Sequence, residues 1–511
     1  MIPLLGVCAF YVYRSYEFAP HDFANYYSAA RWVAEGRFEQ WVYFPSLFNQ
    51  DIAAAGYRWI FASFAPNTPF LALAFVPLTA LPLVSAKLVF NLVSVVFLLN
   101  TLYRLARFYE IKPVFLIAIP VVFLVPIKNN LLFGQVYFVM LALVGESWLA
   151  YKHKRPVLMA ALLSAAICFK VFPAVLLLHF IFRKKYRETV LTLAGCAAWV
   201  LVSVFVSGTG VWIFFFEHVL PKASVGEIAN GLVPNYQSVW MFARQLLVYD
   251  ATENPAPVWN SPLGFAALMV GFKTAMIATG YEVSTKIKIP LMGFSYWIFA
   301  MVLLSPYGST YTFVMLLVPY FAWVRADILL WKKVTGVALM GIVCNIPVAL
   351  FALYPMPFLY PRLLALTALF LLFLTLLYPC VRPRVIAATT LVTVVAVICK
   401  NAAFPAAMPV SRQVLGANGP MLIYDYTIGD NQIKYTFWDQ GGSRRRVVAF
   451  RATSVTPLPL RQNQVFYRGV ALTNDPAHKQ KPLLVDGRTV IYLSDEGRGI
   501  GFFTLRQIDL K

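Results

Sequence analysis

The stretch "VLMAALLSAAICFKVFPAVLLLHFIFRKK", residues 157–185, decides the class of fold. From Val157 to Phe182 it carries one formal charge, Lys170, and then runs directly into Arg183, Lys184 and Lys185. An apolar run of this length is enough to cross a bilayer. A basic cluster just past its end marks the cytoplasmic side by the positive-inside rule. Lys170 is the exception within the run. An ionisable residue in apolar sequence is a functional candidate by default. The competing reading is a lysine snorkelling from a helix end near Pro173.

The same pattern extends in both directions. Apolar segments lie at about 68–82, 83–106, 113–128, 131–151 and 188–206, then at about 262–280, 288–305, 309–325, 333–354, 358–379 and 384–401. Hydrophobic residues make up 60% of the 511 and charged residues 13%, well short of the roughly one quarter charged in soluble domains. Arg187 extends the Arg183/Lys184/Lys185 cluster, and further basic clusters stand at Lys152/Lys154/Arg155, Lys332/Lys333 and Arg382/Arg384. With these inside, the two long polar loops, about 14–66 and 207–261, fall outside, together with everything after Ala402. The expected fold is a mainly α, polytopic membrane protein of about 11 to 13 crossings. The segment 68–82 holds Pro69, Pro77 and Pro82 and reads as short or re-entrant. Ile2–Tyr13 has no basic residues before it. It reads as a first membrane helix with a truncated start rather than a cleavable leader.

The formal charge of +21 sits largely in those loop clusters, and no basic groove lined with stacking aromatics supports a nucleic-acid partner. The cysteines, Cys8, Cys168, Cys196, Cys344, Cys380 and Cys399, lie in or beside apolar segments without metal-ligand spacing. They read as small apolar fillers. Composition changes near Phe404, dividing the chain into 1–403 and 404–511. From there short alternating runs, "MLIYDYTI", "IKYTFWD", "RRVVAF", "QVFYRGVAL", "RTVIYLS" and "GIGFFTLRQI", are separated by turn formers, the pattern of a small antiparallel β domain. With 14 basic and 8 acidic residues it carries +6. It reads first as a solvated lid over the large loops, second as a surface for anionic headgroups or an acidic glycan.

Chemistry concentrates in the outer loops. "APHDFANYYSAARWVAEGRFEQW", Ala19 to Trp41, spaces Phe23, Tyr26, Tyr27, Ala30 and Ala34 along one helical face ending at Gly36. That helix is too polar to span and is expected along the outer surface, with Asp22 as its N-cap. Tyr26 and Tyr27 suit an interfacial aromatic belt. Asn129, Asn130 and Gln135 share one outer turn. Amides so placed bind a ligand or cap helix ends, and the two asparagines read as caps. Arg244 reads as a loop salt bridge and His218 as a solvated loop histidine unless a ligand engages them. His21 is treated as His218, and His179 reads as interfacial.

Six stretches in order resemble the polyprenyl-phosphate-mannose-dependent mannosyltransferases of the GT-C fold: "DFANYYSAARWVAEG" (22–36), "APNTPFLALAFVPLTALP" (65–82), "FGQVY" (133–137), "FKVFP" (169–173), "EHVLPKASVGEIANGLVPNYQS" (217–238) and "LLSPYGSTY" (303–311). The resemblance covers about residues 20 to 310. It implies a GT-C-like bundle in the cell membrane with an extracytoplasmic active site. It implies an inverting transfer of a sugar, mannose favoured, from a polyprenyl-phosphate donor to a glycolipid or glycan acceptor, with no cofactor or metal. It carries Asp22 as general base, Lys170, Arg244 and His218 toward the donor phosphate, and Tyr26, Tyr27, Gln135, Asn235, Gln237 and Ser238 toward sugar and acceptor. The chain departs from the pattern where Tyr137 replaces an asparagine and where Tyr236 separates Asn235 from Gln237. It departs again where Gly308, Ser309, Thr310 and Tyr311 replace a tryptophan and a histidine. Two other readings stand beside this one: a transferase with an arabinofuranosyl or other pentose donor, or with a protein or lipid A as acceptor, and a transporter or flippase of lipid-linked sugars. A transporter is expected to show two related halves, and the sequence has no such repeat.

Overall fold

The computed structural model describes residues 1–57, 60–226, 236–249, 254–377, 381–403, 412–413, 422–439, 442–475, 477–495 and 499–510. Helices fill the chain to Ala403, and β-structure follows. Helices Leu83–Phe108, Tyr186–Ser207 and Pro262–Lys286 are each long and apolar enough to cross a membrane. At 1.5 Å per residue, the 22-residue Tyr186–Ser207 helix is about 33 Å long. Only 17% of its apolar window is buried within the protein, so side chains such as Phe205 and Leu201 face outward. Lipid is the medium that covers such a face at no cost.

The remaining apolar segments are broken, which is why fewer straight spans appear among the described residues than the sequence suggests. Pro113–Val122 and Leu124–Phe133 bend by 59°, close after Pro120, whose ring removes a helix hydrogen bond. The 157–182 run breaks at Lys170, where the backbone turns extended after helix Pro156–Phe169 and resumes as a 3-10 turn and helix Leu177–Phe182. The proline-rich 68–82 segment is the short element expected: helix Pro69–Phe75 and a 3-10 turn to Ala80.

Helix His21–Ala34 follows the first helix, Ile2–Glu17, and Gly36 ends it at φ +68°. One expectation is corrected here. The N-cap is Pro20, and Asp22 lies in the first turn without capping the helix. The link between the two helices is pinned from below. Lys87, buried in helix Leu83–Phe108, gives its ammonium to the carbonyls of Ser15 (3.2 Å), Phe18 (3.1 Å) and Ala19 (3.1 Å). A cation at the carbonyl end of a helix meets its negative dipole end. Asn91, one turn on, donates to Ser15 Oγ and to Leu131 O, both at 2.9 Å. Helices Ile2–Glu17, Leu83–Phe108 and Leu124–Phe133 are thereby locked together beneath Asp22.

Helix Leu124–Phe133 stops at Gly134, with φ +67°. A Cβ there would lie 2.6 Å from the Cβ of Phe23. Both the left-handed backbone and the close approach require glycine. Gly134→Ala is expected to cost at least the roughly 1–2 kcal/mol of a left-handed residue with a Cβ, plus the clash, read as a lower midpoint of thermal unfolding. An unchanged midpoint would mean that the turn relaxes freely.

The β region holds a five-stranded antiparallel sheet, in the order 412–413, Thr504–Asp509, Thr489–Ser494, Lys479–Val485, Val455–Pro457. It also holds a meander of Leu422–Gly429, Gln432–Asp439 and Gly442–Ala449, and a small sheet over 460–471. Strand Lys479–Val485 was not expected, because Pro482 and two lysines mask its pattern. The region packs onto the first large loop and the 210–224 helices. Rings of Phe44 and His478 lie 5.3 Å apart, and those of Phe61 and Phe502 6.1 Å.

Candidate functional site

A cavity of about 540 Å³ opens between helix His21–Ala34, the Gly134 turn, the break at Lys170, helix Pro262–Lys286 and the Ser305–Tyr311 segment. Among its described lining residues, Asp22 is the one carboxylate, and Lys170 and Lys273 are the two cations. A concave pocket with an apolar body and a few convergent polar groups is the usual form of a small-ligand site. Its charge balance favours an anionic ligand.

Asp22 is held by a relay. The Tyr26 hydroxyl donates to Gln135 Oε1 at 2.6 Å, and Gln135 Nε2 donates to Asp22 Oδ2. The amide's orientation is thus fixed from both ends. Burial raises the Asp22 carboxyl above the ordinary aspartate range. The Gln135 hydrogen bond, then the charges of Lys170 and His21, pull the other way. A carboxylate made more basic by burial, with one oxygen engaged, can accept a proton on the other. Lys170 faces it from the helix break. Its ammonium sits 5.0 Å from the Tyr137 ring centroid, a cation–π placement, and it makes no hydrogen bond or ion pair among the described residues. The break is what frees this lysine: outside regular helix, its side chain turns into the cavity instead of snorkelling along an apolar helix.

Tyrosines form much of the remaining wall. Tyr137 packs on Tyr311 with ring centroids 5.1 Å apart, and Tyr236 packs edge-on against Tyr307 at 5.5 Å. Such rings offer flat apolar faces with polar rims.

The structure brings Asp22, Tyr26, Gln135 and Lys170 to this one cavity. The other candidates stand elsewhere. Tyr27 donates to Leu81 O at 2.7 Å, behind the wall. Gln237 is buried, donating to Leu359 O and accepting from Arg362 N. Ser238 caps helix Val239–Leu247, accepting from Met241 N while its hydroxyl donates to Pro306 O at 2.6 Å. The Ser238 hydroxyl thus braces the Ser305–Tyr311 wall, while the Gln237 amide ties its own segment to residues 359–362. Arg244 lies in the same helix and does not line the cavity. His218 packs against Phe214 and His478 at the β region. Asn235 lies outside the described residues. Asn130 bonds Pro126 O and Tyr311 O, holding two wall segments together.

Sequence reasoning passed over Lys273 and Lys87. Each is an ionisable residue in an apolar segment, the same signal that marked Lys170.

Residues 64–306 match the model of glycosyltransferase family 87. The match supports a membrane glycosyltransferase, which takes a sugar donor and an acceptor. The matched span contains Gln135, Tyr137, Lys170, Tyr236 and Lys273 of the cavity wall. Asp22 and Tyr26 precede it, and the β region follows it. Comparison with curated proteins found no match.

Proposed function

We propose that the chain is an inverting glycosyltransferase that moves a hexose from a polyprenyl-phosphate donor to a hydroxyl of a glycolipid or glycan acceptor. The observation that carries this reading is one cavity with a base-competent carboxylate, Asp22, facing an ammonium with no hydrogen-bond or ion-pair partner among the described residues, Lys170. The resemblance of the six stretches favours mannose. In the proposed step the acceptor hydroxyl gives its proton to Asp22 while its oxygen bonds the anomeric carbon. The bond from that carbon to the phosphate oxygen breaks, and polyprenyl phosphate leaves with one more negative charge. Lys170, with Lys273 on the same wall, offsets that charge where it develops. Attack opposite the leaving group inverts the anomeric centre. The relay from Tyr26 through Gln135 keeps one Asp22 oxygen occupied, leaving the other for the acceptor.

The apolar wall and the lipid-facing helices suit a donor whose tail stays in the bilayer while its headgroup enters the cavity. The test is sugar transfer from synthetic polyprenyl-phosphate mannose by the purified protein in lipid nanodiscs. Product carrying the inverted linkage supports the reading, and release of no sugar to any hydroxyl acceptor contradicts it.

The cavity and the β region are assigned to the extracytoplasmic side of the cell membrane, from the basic clusters at 152–155, 183–187 and 382–384. In a background without native cysteines, Gln462→Cys is expected to label with an impermeant maleimide from outside. Lys154→Cys is expected to label only after the membrane is opened. The reverse pattern would invert the topology.

A further inference from the structure

The β region reaches into the cavity. Phe502 is a lining residue, packed against Phe61 with ring centroids 6.1 Å apart. The loop that carries it is anchored. Asp495 Oδ1 accepts from Lys222 Nζ at 2.5 Å and from His478 N at 2.7 Å, and Asp495 Oδ2 accepts from Gly501 N at 3.3 Å. The ion pair is almost fully buried, with side chains 7% and 0% exposed. Lys222 belongs to helix Leu220–Ser224, whose Leu220, Ala223 and Ser224 also line the cavity. A buried ion pair is weak evidence of stabilisation, because desolvation offsets the attraction, and its best-attested use is to fix one arrangement. Here it fixes Phe502 against a wall of the site.

The opposite side of this corner carries an unanswered polar atom. Asn67 lines the cavity, and its Oδ1 is buried with no hydrogen-bond partner among the described residues. Its Nδ2 is already committed to Phe64 O at 2.7 Å. An orphaned buried acceptor costs free energy unless a ligand donor answers it. The segment is registered to the proposed base, since Ser63 N donates to Asn25 Oδ1 at 2.9 Å, one helical turn from Asp22.

We infer that Phe61, Phe502 and Asn67 form the acceptor subsite, and that it takes a saccharide ring. The C–H face of a pyranose packs on the aromatic faces, and one ring hydroxyl donates to Asn67 Oδ1. Lys222 and Asp495 are positioning residues for Phe502. The β region is then part of the acceptor site, beyond the role of a cover. This rests on the transfer reading above.

The probe is octyl α-mannoside, titrated into the full chain in nanodiscs by ligand-observed NMR. Saturable binding is expected, weakened about tenfold in Phe502→Ala and in Asn67→Ala. Phe502→Leu keeps the bulk but loses the ring, and is expected to weaken binding as well while the thermal midpoint holds. Absence of saturable binding by the wild type, or equal affinity in the wild type, Phe502→Leu and Asn67→Ala, would overturn the subsite. Mannoside binding with these mutational effects but without any transfer from polyprenyl-phosphate mannose would instead overturn the transfer reading, leaving the subsite in place.

Discussion

Asp22→Asn is expected to lower sugar transfer by about 10²-fold or more, the scale of a lost general base. The amide keeps the shape of the carboxylate, and with its Oδ1 turned to Gln135 it still accepts from Gln135 Nε2, so the relay from Tyr26 survives. What disappears is the oxygen that accepts the proton. The pH dependence separates this role from a structural one. Burial raises the Asp22 carboxyl above the ordinary range, so the acidic limb of kcat/KM in the wild type is expected above the pH at which a free aspartate titrates. The stability effect has the opposite sign to that of a paired carboxylate. Between the unfolded and the raised folded pKa, the native state holds more protons than the unfolded chain. Stability from this group therefore falls as pH rises through that window. At neutral pH Asp22→Asn is expected to leave the thermal midpoint unchanged or higher while turnover collapses. Near-normal turnover would remove the catalytic role from Asp22.

Lys170→Met is expected to lower transfer by about 10²- to 10³-fold, the scale seen when one preorganised charge-stabilising donor is removed. Methionine keeps most of the apolar stem and removes the ammonium, and with it the cation–π contact on Tyr137. The charge of Lys170 also pulls the Asp22 carboxyl downward, so its loss is expected to move the acidic limb of kcat/KM to higher pH. A lysine that merely filled space would produce neither effect. Wild-type turnover at both low and saturating donor would make Lys170 structural only. The two substitutions are expected to be non-additive, since both act on one step at neighbouring groups.

The broad architecture was legible because the bilayer imposes a simple code: long apolar runs, basic loop clusters, and a change to alternating strands after Phe404. The breaks were harder to read. Pro120 and the prolines of 68–82 announce theirs, but the break at Lys170 precedes Pro173 and depends on tertiary contacts. One of these is Thr68, whose hydroxyl donates to Cys168 O. Asp22 and Gln135 stand out in the sequence as polar groups of the outer loops. Their partnership across 113 residues was not, because it depends on Gly134 letting one helix end approach Phe23. Gln237 and Ser238 stand in the stretch that drew attention, yet their side chains serve Leu359, Arg362, Met241 and Pro306. A polar motif near a site does not say which of its members face inward. Phe502 carries no signal in sequence, since one aromatic among alternating strand residues looks like core.

The most direct test of the account is a density map of Asp22→Asn in nanodiscs with synthetic polyprenyl-phosphate mannose bound. The substitution holds the donor unreacted. The account predicts the phosphate at hydrogen-bonding distance from the Lys170 ammonium, the anomeric carbon facing position 22, and the prenyl chain leaving toward the lipid. A headgroup bound outside this cavity, or one inside it with the phosphate away from Lys170, would contradict it.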